Sequence, residues 1–322
     1  MPSAAETRSQ VQHEDYARRR LSVPAFGGGF LYLLSAIIIS STLSGAPTVG
    51  LLQGLEPALR GEANPAVSPR AAEVKFISHH AFGLIAGSTL AAIAVGILTL
   101  ILLALLNATS FRRPATWAAA RPLVLVGGTA VAVASLAHQV VAALETHKFA
   151  TGHNLTNHAV DQALTKSTPN LIVAYLSLLA GLALAAGMVG VMINALRVGL
   201  LPRWMGLLGM FTALLIFLPI GGAELQLVPA FWMVMVGVLF AGKWPGGDPP
   251  AWAAGEAKPW PTRAQAAAER RGAGEDGAAG ADKRAAGTAK AATAATADEP
   301  APAPVPQGGT SRKRRRKRGA RR

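Results

Sequence analysis

Residues 81–106 contain no charged side chain over 26 consecutive positions. A helix of that length rises about 39 Å, more than the roughly 30 Å of a bilayer's hydrocarbon core. Comparable apolar runs recur at about 26–44, 122–144, 170–196, 204–220 and 227–242. A membrane β-strand would alternate apolar and polar positions over about ten residues. These runs do not alternate, so their backbone must satisfy itself inside helices. The expected fold is an all-α membrane protein, a bundle of six transmembrane helices within residues 25–244. Composition agrees: only 15% of the side chains are charged and the mean hydropathy is +0.34, where a soluble domain carries about 25% charge.

Lys and Arg placement predicts the orientation, because inner loops carry the excess. The segment 1–24 and the loops 107–121 and 197–203 hold Arg8, Arg18, Arg19, Arg20, Arg112, Arg113, Arg121, Arg197 and Arg203. The alternate loops hold Arg60, Arg70, Lys75, Lys148 and Lys166, and most of the loop acids. Both termini are therefore expected in the cytoplasm (N-in/C-in), with the chain multi-pass in the plasma (inner) membrane. The small residues Ser44, Gly45 and Ala46 after the first run would also suit a cleaved signal. Its long lead-in and the later spans make an uncleaved signal anchor the simpler reading. Trp204, Trp232, Trp244 and Trp252 fall at or beyond span ends and are expected as interface anchors.

Composition changes after Trp252. Residues 245–271 form a Trp- and Pro-rich juxtamembrane segment with one short helix expected over its later part. Residues 272–322 lack periodicity and large apolar side chains, so a disordered cytoplasmic tail is expected. Its end is polybasic: Arg312, Lys313, Arg314, Arg315, Arg316, Lys317, Arg318, Arg321 and Arg322. Without these nine the formal charge falls from +14 to +5. Such a cluster suits anionic lipid headgroups, at about 1 kcal/mol per basic residue. It would also hold RNA or DNA through the phosphates, although no aromatic side chain is interleaved for base stacking.

There is no cysteine, which excludes disulfides, thiolate metal sites and cysteine nucleophiles. The spans carry no Asp, Glu, Lys or Arg away from their ends, which weighs against ion-coupled carriers. Six of the seven histidines fall on the expected outer side. His79 and His80 precede the second span and His138 lies near the end of the third. Neutral imidazoles there, with Glu145 or Asp161, would suit a divalent metal, but the spacings match no closed zinc motif. The blander reading of His138 is a helix–helix hydrogen bond. Catalytic residues and cofactors are not predicted. Ala180, Ala183, Gly187 and Gly190 give the fourth span a small face for close packing, within one chain or in a homo-oligomer.

The wording of the last hairpin is more specific. RVGLLPRWMGLLGM, LPIGG and VPAFWMVMVGVLFAGKWPGGDPPAWAAGEAKPWP resemble an uncharacterised actinobacterial family of polytopic integral membrane proteins. Its members join a WPGGxPPAW-type segment after the last helix to a Lys/Arg-rich C-terminal tail. FLYLLSAIIIS and the FRRP loop fit the same pattern, so the resemblance covers about residues 25–262 and the tail. It implies a bacterial plasma membrane and transfers no activity and no catalytic residue. The expected function is therefore a non-enzymatic scaffold, sensor or accessory subunit whose tail engages anionic lipid or nucleic acid. The alternatives are a small-molecule or divalent-metal transporter using the outer histidines, and a membrane-embedded enzyme.

Overall fold

Four helices are long and apolar enough to cross a membrane, and two shorter apolar helices stand beside them. The computed structural model describes residues 4–61, 67–113, 117–218, 226–245 and 247–260. In chain order the helices are α1 (Ala4–Leu43), α2 (Leu51–Leu59), α3 (Ala71–His79), α4 (Ala81–Arg112), α5 (Ala120–Thr151), α6 (Asn157–Asp161), α7 (Thr168–Val198), α8 (Arg203–Phe217), α9 (Leu227–Phe240) and α10 (Pro250–Ala254). A π-helical turn, Gln162–Lys166, follows α6. All regular structure among the described residues is helical. The hairpin turn and the tail, with the short helix expected before residue 271, lie almost wholly outside the described residues.

The helices match the apolar runs and then exceed them. α4 and α5, at 32 residues each, span about 48 Å, so their last turns stand beyond a core of roughly 30 Å. α8 and α9, with 15 and 14 residues, reach only about 22 Å. The chain is thus a membrane-embedded helical protein with four helices long and apolar enough to span the bilayer and two shorter apolar ones.

The largest departure from expectation is at the start. The polar segment before the first span is not separate; α1 continues through it as one helix of 40 residues, past Pro24. An internal proline deletes one helical hydrogen bond and costs about 3 kcal/mol. Packing offsets it: α1 lies between α4 and α9, and Gly28 and Gly29 let it approach both. A Cβ on Gly29 would come within 2.7 Å of the Ala230 carbonyl of α9, and one on Gly28 within 2.9 Å of Ile97 of α4.

Around the bundle, α1 packs on α4, α4 on α5, α5 on α7, α7 on α8, α8 on α9 and α9 on α1. The core between them holds Leu98, Leu102, Leu184, Met188, Met205 and Trp232. The small face expected on α7 is used within the chain: Gly187 meets the Val124 backbone of α5, and Gly190 meets Trp117. α7 also carries legible ends. The Ser167 hydroxyl accepts from the Asn170 amide, a proline sits in the first turn, and Gly199 closes the helix at φ +85°.

At one end of the bundle, α3, the end of α5, α6 and the π-helical turn form a small second core from Ala71, Val74, Phe149, Val160 and Ala163. Arg70 pairs with Glu73 there, whose hydrogen bond raises the guanidinium above its ordinary pKa against the opposing effect of burial. The opposite end, which collects the first half of α1, the ends of α4, α7 and α9, and α10, is the arginine end.

Candidate functional site at the arginine end

Helical spacing sets the first part of the site. On α1, Glu14, Asp15, Arg18 and Arg19 stand within one turn or so of each other. Arg18 Nη2 donates to Asp15 at 2.8 Å and Arg19 Nε donates to the other oxygen of Asp15 at 2.8 Å. Arg112 ends α4. Its guanidinium is fully buried and donates to two carbonyls, from Nη1 to Ala108 O of its own helix (2.8 Å) and from Nε to Ala251 O of α10 (2.9 Å). Glu14 Oε2 supplies the countercharge at 2.6 Å from Arg112 Nη1, and Gln10 donates to the other Glu14 oxygen.

Beyond α9 the chain turns back under the bundle. Asp248 accepts from Arg18 Nη2 at 2.8 Å. α10 then inserts Trp252, whose indole donates to Leu200 O at 3.1 Å and meets Phe240 edge-on. The Trp252 ring lies between two cations, with the Arg18 guanidinium carbon 5.2 Å from the ring centre and that of Arg112 at 5.5 Å. Desolvated cation–π contacts contribute about 2 kcal/mol, and α10 is held from both sides.

The rest of this segment is seated by close backbone approach. Lys258 N donates to Val198 O, and the Lys258 carbonyl passes so near Gly199 that any Cβ there would overlap it at 2.0 Å. Gly199 is therefore required twice, for its positive φ and for this contact. On the other side Gly255 lies against Thr7 and Val11 of α1. Segment 244–260 is a plug docked on the bundle.

This corrects two of the four expected interface tryptophans. Trp232 is fully buried, donating to Met205 O, and Trp252 is buried in the plug. Each indole found a carbonyl acceptor inside, which removes the need for headgroup water. Trp204 and Trp244 stack on each other at 5.7 Å.

The histidines are placed elsewhere. His79 ends α3, and His80 links α3 to α4, its ring stacked on Phe76 at 4.0 Å and its Nδ1 2.9 Å from Phe76 O. His138 is exposed on α5. Among the described residues no three of His, Cys, Asp and Glu are grouped to hold a metal ion, so the structure does not bring His79, His80 and His138 together as a ligand set. The polybasic positions from Arg312 to Arg322 lie outside the described residues.

Sequence reasoning read Arg18 and Arg112 only as topology charges and missed their partners. The helical spacing of Asp15 with Arg18 and Arg19 was a local signal for part of the network. Comparison with family models, with curated proteins and with solved structures finds no match.

Proposed function

We propose that the chain is a non-enzymatic plasma-membrane scaffold that holds a basic tail close to an anionic cytoplasmic leaflet. In this reading six helices cross the membrane, α8 and α9 included, and both termini are cytoplasmic. The Arg18–Asp248 contact carries the reading. It joins the first half of α1 to the segment after α9 at 2.8 Å, which supports an even number of crossings with both segments on one side. The Lys/Arg bias names that side as the inner one.

The docked plug gives the tail a fixed base up to Trp260. About 50 residues of sequence separate Trp260 from the polybasic patch. In this reading covalent tethering to the membrane-embedded bundle keeps the patch at high effective concentration near the leaflet, where each basic residue gains about 1 kcal/mol from anionic lipid. The absence of aromatic residues from the patch favours lipid over nucleic acid. The WPGGDPPAW wording and the basic tail also fit the actinobacterial membrane family named above.

Reconstitution of the full chain and of residues 1–310 in neutral and in phosphatidylglycerol nanodiscs tests this. Trypsin should release the full chain's terminal peptides several-fold more slowly from the anionic discs. Equal rates, with RNA bound by the full chain and not by 1–310, would move the assignment to nucleic acid. Equal rates without RNA binding would remove the tail's role altogether.

A further inference from the structure

A groove of about 330 Å³ runs along the arginine end between α1 and α4. Leu100, Leu103 and Ala104 of α4 form its apolar wall, and Arg18, His13 and Asn107 stand at its polar part. Leu100 is exposed on the bundle's side, and α4 is one of the four helices long and apolar enough to span the bilayer, so this wall faces lipid. Along α4, Leu100 is about 18 Å from Arg112 and Asn107 about 8 Å. The groove therefore runs from apolar, toward the middle of the span, to polar, toward its end. A phospholipid in the adjoining leaflet has the same polarity.

The polar part has hydrogen-bonding capacity in excess. Arg18 is 95% buried and uses Nη2 for both Asp15 and Asp248, while its Nε and Nη1 have no hydrogen-bond partner. Arg112 Nη2 has none either. Buried N–H donors left without acceptors are costly and favour an incoming acceptor. The carboxylate in this wall, Glu14, already faces Arg112 at 2.6 Å, so its charge is countered and does not repel an anion unopposed.

We propose that this groove binds one membrane phospholipid, its phosphodiester turned to Arg18 and the start of an acyl chain lying on Leu100, Leu103 and Ala104. Phosphate oxygens are the acceptors that match a guanidinium, and the apolar wall selects a phosphodiester that carries a chain over a free one. The site uses none of the tail residues, and with the tail present in every sample its contribution is common to the intact chain and the groove variants.

Native mass spectrometry of the full chain in detergent, titrated with short-chain phosphatidylglycerol, tests it. Diacylglycerol of the same chains and glycerol phosphate are the comparison ligands. The phospholipid should bind at least about tenfold more tightly than either, the loss expected when a charge-assisted hydrogen bond is removed. Ala104→Phe fills the wall, and His13→Glu puts a negative charge at the exposed polar part; each should weaken phospholipid binding about tenfold. Ala104→Phe is scored only with an unchanged melting temperature, and His13→Glu decides the matter otherwise. Equal binding of diacylglycerol would overturn the phosphate's role, and equal binding of glycerol phosphate the lipid source. Unchanged phospholipid affinity in His13→Glu and in a folded Ala104→Phe would remove the site.

Discussion

Arg18 and Asp248 are 230 positions apart in sequence and 2.8 Å apart in space. Their contact ties the polar start of α1 to the segment that follows the last apolar helix. Nothing local to either residue calls for it. Arg18 is in a run of three arginines, and Asp248 is in a turn between two glycines and two prolines. Arg18 is further held by Asp15 and the Trp252 face, and Asp248 stands two residues before α10.

Arg112 is the most costly side chain to remove its partner from. Glu14→Ala should lower stability by about 3–5 kcal/mol, because it leaves a buried guanidinium uncompensated. Glu14→Gln with Arg112→Met together should lose less than the two single changes added, since the double variant no longer buries a lone charge. Thermal or denaturant unfolding in detergent measures both. Simple additivity would mean that the two side chains act independently.

Trp252→Ala should undock the plug. The lost packing is worth about 3–5 kcal/mol, and limited proteolysis within 244–260 should become fast while the helices stay protected. Trp252→Phe keeps an aromatic face between the arginines and loses the bond to Leu200 O, a cost of about 0.5–1.5 kcal/mol. Equal proteolysis of Trp252→Ala and the unaltered chain would mean that the ring does not hold the plug.

Gly187 and Gly127 mark the closest crossing of α5 and α7. A Cβ on Gly127 would be 2.4 Å from the Leu184 amide nitrogen, and one on Gly187 2.8 Å from that of Val124. Backbone atoms cannot swing aside as a side-chain tip can, so either Gly→Ala change should cost about 1–3 kcal/mol. Gly96, with open space around it, is the control: its change to Ala should be neutral or stabilising, by up to about 1 kcal/mol. Melting temperatures of the three variants decide this.

Zinc should leave the melting temperature unchanged. A ligand held only by the folded state raises stability in proportion to the logarithm of its concentration, and among the described residues His79, His80 and His138 are not gathered as a ligand set. A rise with zinc that is absent from the His79→Ala/His80→Ala/His138→Ala chain would revive the metal-carrier reading.

Apolar run length determined where the long apolar helices are, but not that α1 starts at Ala4. The run 81–106 became α4 from Ala81, and 170–196 became α7 from Thr168 to Val198, because no other backbone state satisfies its own hydrogen bonds in lipid. The caps of α7, Ser167 and Gly199, came from the structure and follow from local chemistry. The way the helix ends are sealed was not legible in the sequence. Segment 244–260 reads as turns and interface aromatics, and the N-terminal arginines read as orientation charges. Their pairing is decided by which elements meet at one end of the bundle, and such contacts leave no periodic mark in either segment. Tertiary structure alone turned Trp252 from a candidate surface anchor into a buried ring between Arg18 and Arg112. Two desolvated cations, three carboxylates and the Leu200 carbonyl that accepts from the indole could be matched there only once the helices had packed.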